Sequence, residues 1–132
     1  MSSEIAVKPH HNSEDKSILL IISRSAFQSP TIKEALDVAL TCAAFEQAIS
    51  ILLTDNAPLA LLPNQASNEI AQKSMNNLFS ALPMYDIDTL YIDSHAKAIL
   101  EPYHKSIPNI LNYVNQQQIA GLIQSHDIVQ RF

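Results

Sequence analysis

The stretch Ser17-Ile18-Leu19-Leu20-Ile21-Ile22-Ser23 decides the fold class. Its centre, Ile18 to Ile22, is apolar without alternation and too short for a stable helix. A strand with one wet face would alternate apolar and polar residues. A continuous apolar run is expected of a strand covered on both faces, as in a parallel sheet.

Strand and helix signals alternate outward from it. Arg24 to Ser29 reads as a loop. A helix then starts either with Ser29 as cap and Pro30 in the first turn, or with Thr31 and Glu34 as a capping box, and runs to about Phe45. Ile32, Leu36, Ala39, Leu40 and Ala43 form a stripe for the sheet, and Val38, Cys42 and Phe45 a second apolar flank. Ala48 to Leu53 is a second buried strand, ended by Thr54-Asp55-Asn56. Pro58 opens a short helix that closes before Pro63. Ser67 caps a helix reaching about Ala81, with Ile70, Leu78 and Leu82 on one face. Asp88 to Ile92 carries the third strand, and Ser94 caps a short helix to about Leu100. Asn109 to Val114 is the fourth strand. Asn115 caps a helix with Ile119, Leu122 and Ile123 on one face, and Asp127 to Arg131 is the last strand. The order β-α-β-α-α-β-α-β-α-β predicts an α/β, three-layer α/β/α domain over residues 17–132. Its five-stranded, mainly parallel sheet would carry helices on both faces. Residues 1–16 are too polar to pack and read as a flexible tail.

Composition narrows the function. The 132 residues suit a single domain. Charged residues make up 16%, below the roughly 25% of an average soluble domain, so part of the surface is expected to meet a partner. A net charge of −5 with eight Lys and Arg argues against a dedicated nucleic-acid binder, which needs a basic stripe. Gly121 is the only glycine, which excludes phosphate-binding and dinucleotide-binding glycine loops and the Gly-x-Ser-x-Gly elbow. No apolar run approaches a membrane span of about 20 residues. Met1 to Lys16 lacks the apolar segment of a signal peptide. A cytoplasmic protein without cofactor is the expectation.

Ligands of open α/β sheets gather at the strand carboxyl ends, here Ser23-Arg24-Ser25, Thr54-Asp55-Asn56 and Asp93-Ser94-His95. A Ser-His-Asp triad is conceivable there, but such residues serve mostly as caps and turns. Asp86, Asp88 and Asp93 could hold a hard cation, yet in an extended strand Asp93 would face away from the other two. The His10-His11 pair hints at metal. His95, His104 and His126 have no ligand partner at metal spacing, so none of these histidines is assigned to a metal and they read as surface or packing residues. Cys42, the only cysteine, is the single candidate catalytic thiol. It lies late in its helix without a cation nearby in sequence, where the helix dipole opposes thiolate formation, so a buried, inert thiol is expected.

Four motifs then carry a resemblance. Asp127-Ile128-Val129-Gln130-Arg131-Phe132 is similar to the Tyr-Asp-(Val/Ile)-x-x-Arg-Phe ending of the TusC, or DsrF, branch of the DsrE-like sulfur-relay family. Leu36-Asp37 matches its Leu-Asp-Ala-x-Leu, Leu61-Leu62-Pro63-Asn64-Gln65 its Leu-Leu-Pro-x-Gln, and Tyr85-Asp86-Ile87-Asp88 its Tyr-Asp-Ile-(Glu/Asp). His126 departs from the pattern, standing where the family has Tyr, and the glycines after the first strand are missing. The resemblance implies a structural subunit, not itself an enzyme, joined to TusB-like and TusD-like sisters in a cytoplasmic heterohexamer. Such a complex relays persulfide sulfur toward 2-thiouridine at the tRNA wobble position, or serves sulfur oxidation in the DsrEFH counterpart. The sulfur-carrying cysteine belongs to the TusD-like sister, and the corresponding region here, residues 63–77, has none. Two other readings stand beside it. One is a sulfurtransferase-like carrier using Cys42. The other is a DsrE-like protein that is homo-oligomeric when purified alone and binds an unknown ligand.

Overall fold

The computed structural model describes residues 16–24, 31–62 and 77–132. Five strands build the sheet: β1 (Ser17–Ile22), β2 (Ala48–Leu53), β3 (Leu90–Asp93), β4 (Leu111–Val114) and β5 (Ile128–Arg131). Its order is β4-β3-β2-β1-β5, and every neighbouring pair is parallel. The fold is the expected three-layer α/β domain. The continuous apolar runs of β1 and β2 occupy adjacent interior positions, as their composition demands, with Leu19, Ile22, Ile51, Leu52 and Leu53 fully buried.

The helices are α1 (Thr31–Ala44), α2 (described over residues 77–81), α3 (Lys97–Leu100) and α4 (Gln116–Ser125). They divide unequally between the faces. Ala35, Leu36 and Ala39 of α1, Phe79 of α2 and Leu100 of α3 pack with Leu20, Ile22, Ile51, Leu53, Leu90 and Ile92 in one core. On the other face, among the described residues, Ile119, Leu122 and Ile123 of α4 cover Leu19, Ile21, Leu52, Val114 and Val129. Strand order explains this. The chain steps β1 to β4 in one direction, so its right-handed crossovers fall on one face. Only the return from β4 to β5 beside β1 crosses on the other.

The carboxyl-terminal motif closes the sheet. The Asp127 carboxylate accepts from the Ser17 backbone N–H (2.9 Å) and hydroxyl (3.1 Å) at the start of β1. Phe132 donates its N–H to the Ile21 carbonyl at 2.8 Å and packs against the larger core. The two ends of Asp-Ile-Val-Gln-Arg-Phe thus fix β5 in register on β1.

Several expectations need correcting. β3 starts at Leu90 rather than Asp88, and β4 at Leu111 rather than Asn109. The turn at Pro58 is a 3-10 helix, Ala57–Leu61, and Pro83 lies in another, Leu82–Tyr85. Proline fixes φ and supplies no N–H, which suits these short turns. Asp93, not Ser94, caps the turn after β3, its carboxylate accepting the His95 N–H. The Asn115 cap is present as a full capping box with Gln118. Ser29, Pro30, Ser67, Ile70 and the 1–15 part of the expected tail lie outside the described residues.

Candidate functional site

The carboxyl ends of the strands bring one polar cluster together. Asp93 ends β3 and is 8% exposed, the only buried charged side chain among the described residues. The His95 ring Nδ1 lies 3.0 Å from Asp93 Oδ1. The other carboxylate oxygen accepts from Gln116 Nε2 of α4 at 3.2 Å. The second ring nitrogen, Nε2, reaches the backbone carbonyl of Asp55 at 3.3 Å, in the turn after β2. Asp55 has φ 51°, a left-handed conformation that Asp tolerates better than most residues. The next residue, Asn56, donates its N–H to the Ser23 carbonyl beyond β1 at 3.2 Å. His95 therefore joins the exits of β2 and β3, and the Asp55 turn joins that of β1.

Charge follows from this geometry. Burial pushes the Asp93 carboxyl up, but the His95 hydrogen bonds and charge and the Gln116 amide outweigh it, and Asp93 sits below the ordinary carboxylate value. His95 is held above the ordinary histidine value, first by its hydrogen bond to Asp93 and against the effect of partial burial, with Asp55 adding to it. Its side chain is 52% exposed, so the imidazole is both anchored and open to solvent.

The sequence placed these residues at one edge without showing which of them touch. His95 lies at the surface, as expected, and its ring also reaches both Asp93 and the Asp55 carbonyl. Ser23 does not complete a triad, because its hydroxyl donates to the Phe132 carbonyl at 3.1 Å. Ser25 lies outside the described residues. The three aspartates do not converge either: Asp86 closes a 3-10 turn with φ 65°, and exposed Asp88 precedes β3. Among the described residues no group of three or more His, Cys, Asp or Glu could hold a metal ion.

Cys42 is partly exposed rather than buried. It sits in the last turn of α1, whose chain direction carries it to the amino edge of the sheet, opposite the Asp93–His95 cluster. Its carbonyl accepts from the N–H groups of Phe45 (3.1 Å) and Gln47 (3.2 Å). The flank beside it faces water: Val38 is 41% and Phe45 75% exposed. A cleft of about 460 Å³ lies between Leu61, Phe79 and the segment Lys105–Ile110. Lys105 is the only ionisable side chain among its described lining residues. No helix among the described residues is long and apolar enough to cross a membrane.

Comparison with known proteins agrees with this architecture. The family model of the DsrE/DsrF-like family matches residues 16–130. A TusC homologue of Pseudomonas aeruginosa is 28% identical over 114 residues, 86% of this chain and 96% of that protein. A TusC homologue of Pasteurella multocida is 32% identical over 77 residues, 57% of this chain and 65% of that protein. The crystal structure of the ychN protein from E. coli superposes with a TM-score of 0.70 over 89% of this chain and 99% of that one, at 15% identity. That likeness shows the fold. The chain belongs to the DsrE/DsrF-like family, on its TusC branch.

Proposed function

We propose that this protein is a non-catalytic structural subunit of a sulfur-relay complex, assembled with TusB-like and TusD-like sisters as a cytoplasmic heterohexamer. It serves persulfide transfer toward 2-thiouridine at the tRNA wobble position. The observation that carries this reading is the family match across residues 16–130 together with TusC homologues of nearly equal length. Its part in the relay is packing: it fixes the neighbour that holds the reactive cysteine and shapes the face on which donor and acceptor dock. Large apolar side chains that face water, Phe45 at 75% and Met84 at 83% exposure, give such a subunit surface to bury in an interface core.

The thiol position supports the same assignment. A sulfur carrier needs a thiolate favoured by a helix amino terminus or a cation. Cys42 stands at the opposite end of α1, a helix with no basic residue in its last turn. A relay reconstituted from the three subunits tests the reading. Cys42→Ser is expected to keep the rate of sulfur transfer, and omitting this chain to abolish it. Loss of transfer in Cys42→Ser, with the complex still assembled, would instead make this chain a carrier.

A further inference from the structure

We propose that His95 is a proton-operated latch that ties the exit of β2 to the exit of β3. Both groups facing its ring are acceptors only: the Asp93 carboxylate at 3.0 Å from Nδ1 and the Asp55 backbone carbonyl at 3.3 Å from Nε2. A neutral imidazole has one N–H and serves one of them; the imidazolium has two and serves both. When the ring loses a proton, the remaining N–H stays on the side of the carboxylate, the stronger acceptor. The Nε2 lone pair then faces the Asp55 carbonyl, and that contact turns from attraction to repulsion.

The turn is built to respond. Asp55 holds a left-handed φ of 51°, a conformation open to few residues besides glycine, asparagine and aspartate. Asn56 ties the turn to β1 through the Ser23 carbonyl. The proton on His95 therefore completes a chain of contacts across three strand ends, and its loss loosens the middle one. Among the described residues, the ionisable groups facing the ring are Asp93 from β3 and Asp55 from the β2 turn; α4 contributes the neutral Gln116. With the ring half exposed, the latch is open to solvent protons and to a docking partner that brings its own charge.

Ring and backbone nitrogen spectra of the full-length chain between pH 5 and 9 test this. The latch predicts His95 protonated on both nitrogens at low pH and on Nδ1 alone at high pH. The amides of Asn56 and Ala57 should shift with the same midpoint, and the exchange protection of Asn56 should fall several-fold above it. In His95→Gln those amides should no longer titrate, and in Asp93→Asn the His95 midpoint should move down. Amides that ignore the His95 titration, amides that titrate equally in His95→Gln, or a midpoint unmoved in Asp93→Asn would each overturn the proposal. His95→Gln replaces a half-exposed side chain, so it reads the latch even if Asp93→Asn fails to fold.

Discussion

The Nε2 atom of His126 lies 2.9 Å from the hydroxyl of Ser50, and its Nδ1 lies 2.7 Å from the Leu122 carbonyl. The carbonyl can only accept, so the neutral ring carries its proton on Nδ1, and Ser50 donates to Nε2. This pair pins the end of α4 to the middle of β2 on the face that α4 covers. Ser50→Ala strands a half-buried ring nitrogen and is expected to destabilise the fold by about 1 kcal/mol. Denaturant unfolding measures the loss, and ring nitrogen spectra should show the Nδ1–H tautomer in the parent chain. An unchanged unfolding midpoint would show that water replaces the hydroxyl at no cost.

Asp127 should act as the clasp of the last strand. Its carboxylate takes two hydrogen bonds from Ser17, and Asp127→Ala removes both at an exposed site. The expected cost is about 0.5–1.5 kcal/mol, with faster amide exchange at Ile128 and Gln130, whose N–H groups face β1 in the parallel register, before the rest of the sheet opens. Uniform exchange along β5 and β1 would contradict a local clasp.

Gly121 lies inside α4, and a methyl group placed on its Cα meets nothing within 4 Å. Gly121→Ala is therefore expected to stabilise the isolated chain by about 0.5–1 kcal/mol through helix propensity alone. If the same variant weakens a complex with sister subunits, the outer side of α4 is pressed closely by a neighbour. Calorimetry of the free chain separates the two effects.

The Asp93–His95 pair makes stability depend on pH with a defined sign. Asp93 is lowered from 3.8, so its contribution is present above 3.8 and lost as pH falls through the folded value. His95 is raised from 6.5, so its contribution is full below 6.5 and lost as pH rises through the folded value. The pair thus stabilises the fold most between these two pH values. The difference in urea midpoint between the parent chain and His95→Gln should peak in that window; a difference flat from pH 3 to 9 would contradict the pairing.

Much of the fold was legible because burial writes itself into composition. Ile18 to Ile22 and Ile51 to Leu53 are apolar on both faces, and both runs lie in interior strands. β3 and β4 start two residues later than expected, at Leu90 and Leu111; Thr89 and Ile110 are strand formers by type and gave no signal to stop there. What stops them is pairing, which begins where Leu90 meets Leu111. The site was harder. That Asp93, His95 and Asp55 all stand at strand ends follows from the order of elements, but His95 and Asp55 are 40 residues apart in sequence. No periodicity reports that a ring nitrogen of one meets the carbonyl of the other. The Ser50–His126 contact, across 76 residues, was invisible for the same reason. The partial exposure of Cys42 was missed because an apolar helical flank looks alike whether it meets the sheet, water or a partner.

The central claim is that this chain is a structural subunit of a three-component relay. Light scattering on the chain, alone and co-expressed with TusB-like and TusD-like partners, tests it most directly. The account predicts a particle whose molar mass corresponds to two copies of each of three chains, formed equally well by Cys42→Ser. A discrete homo-oligomer whose mass does not change when the sister chains are present would contradict it.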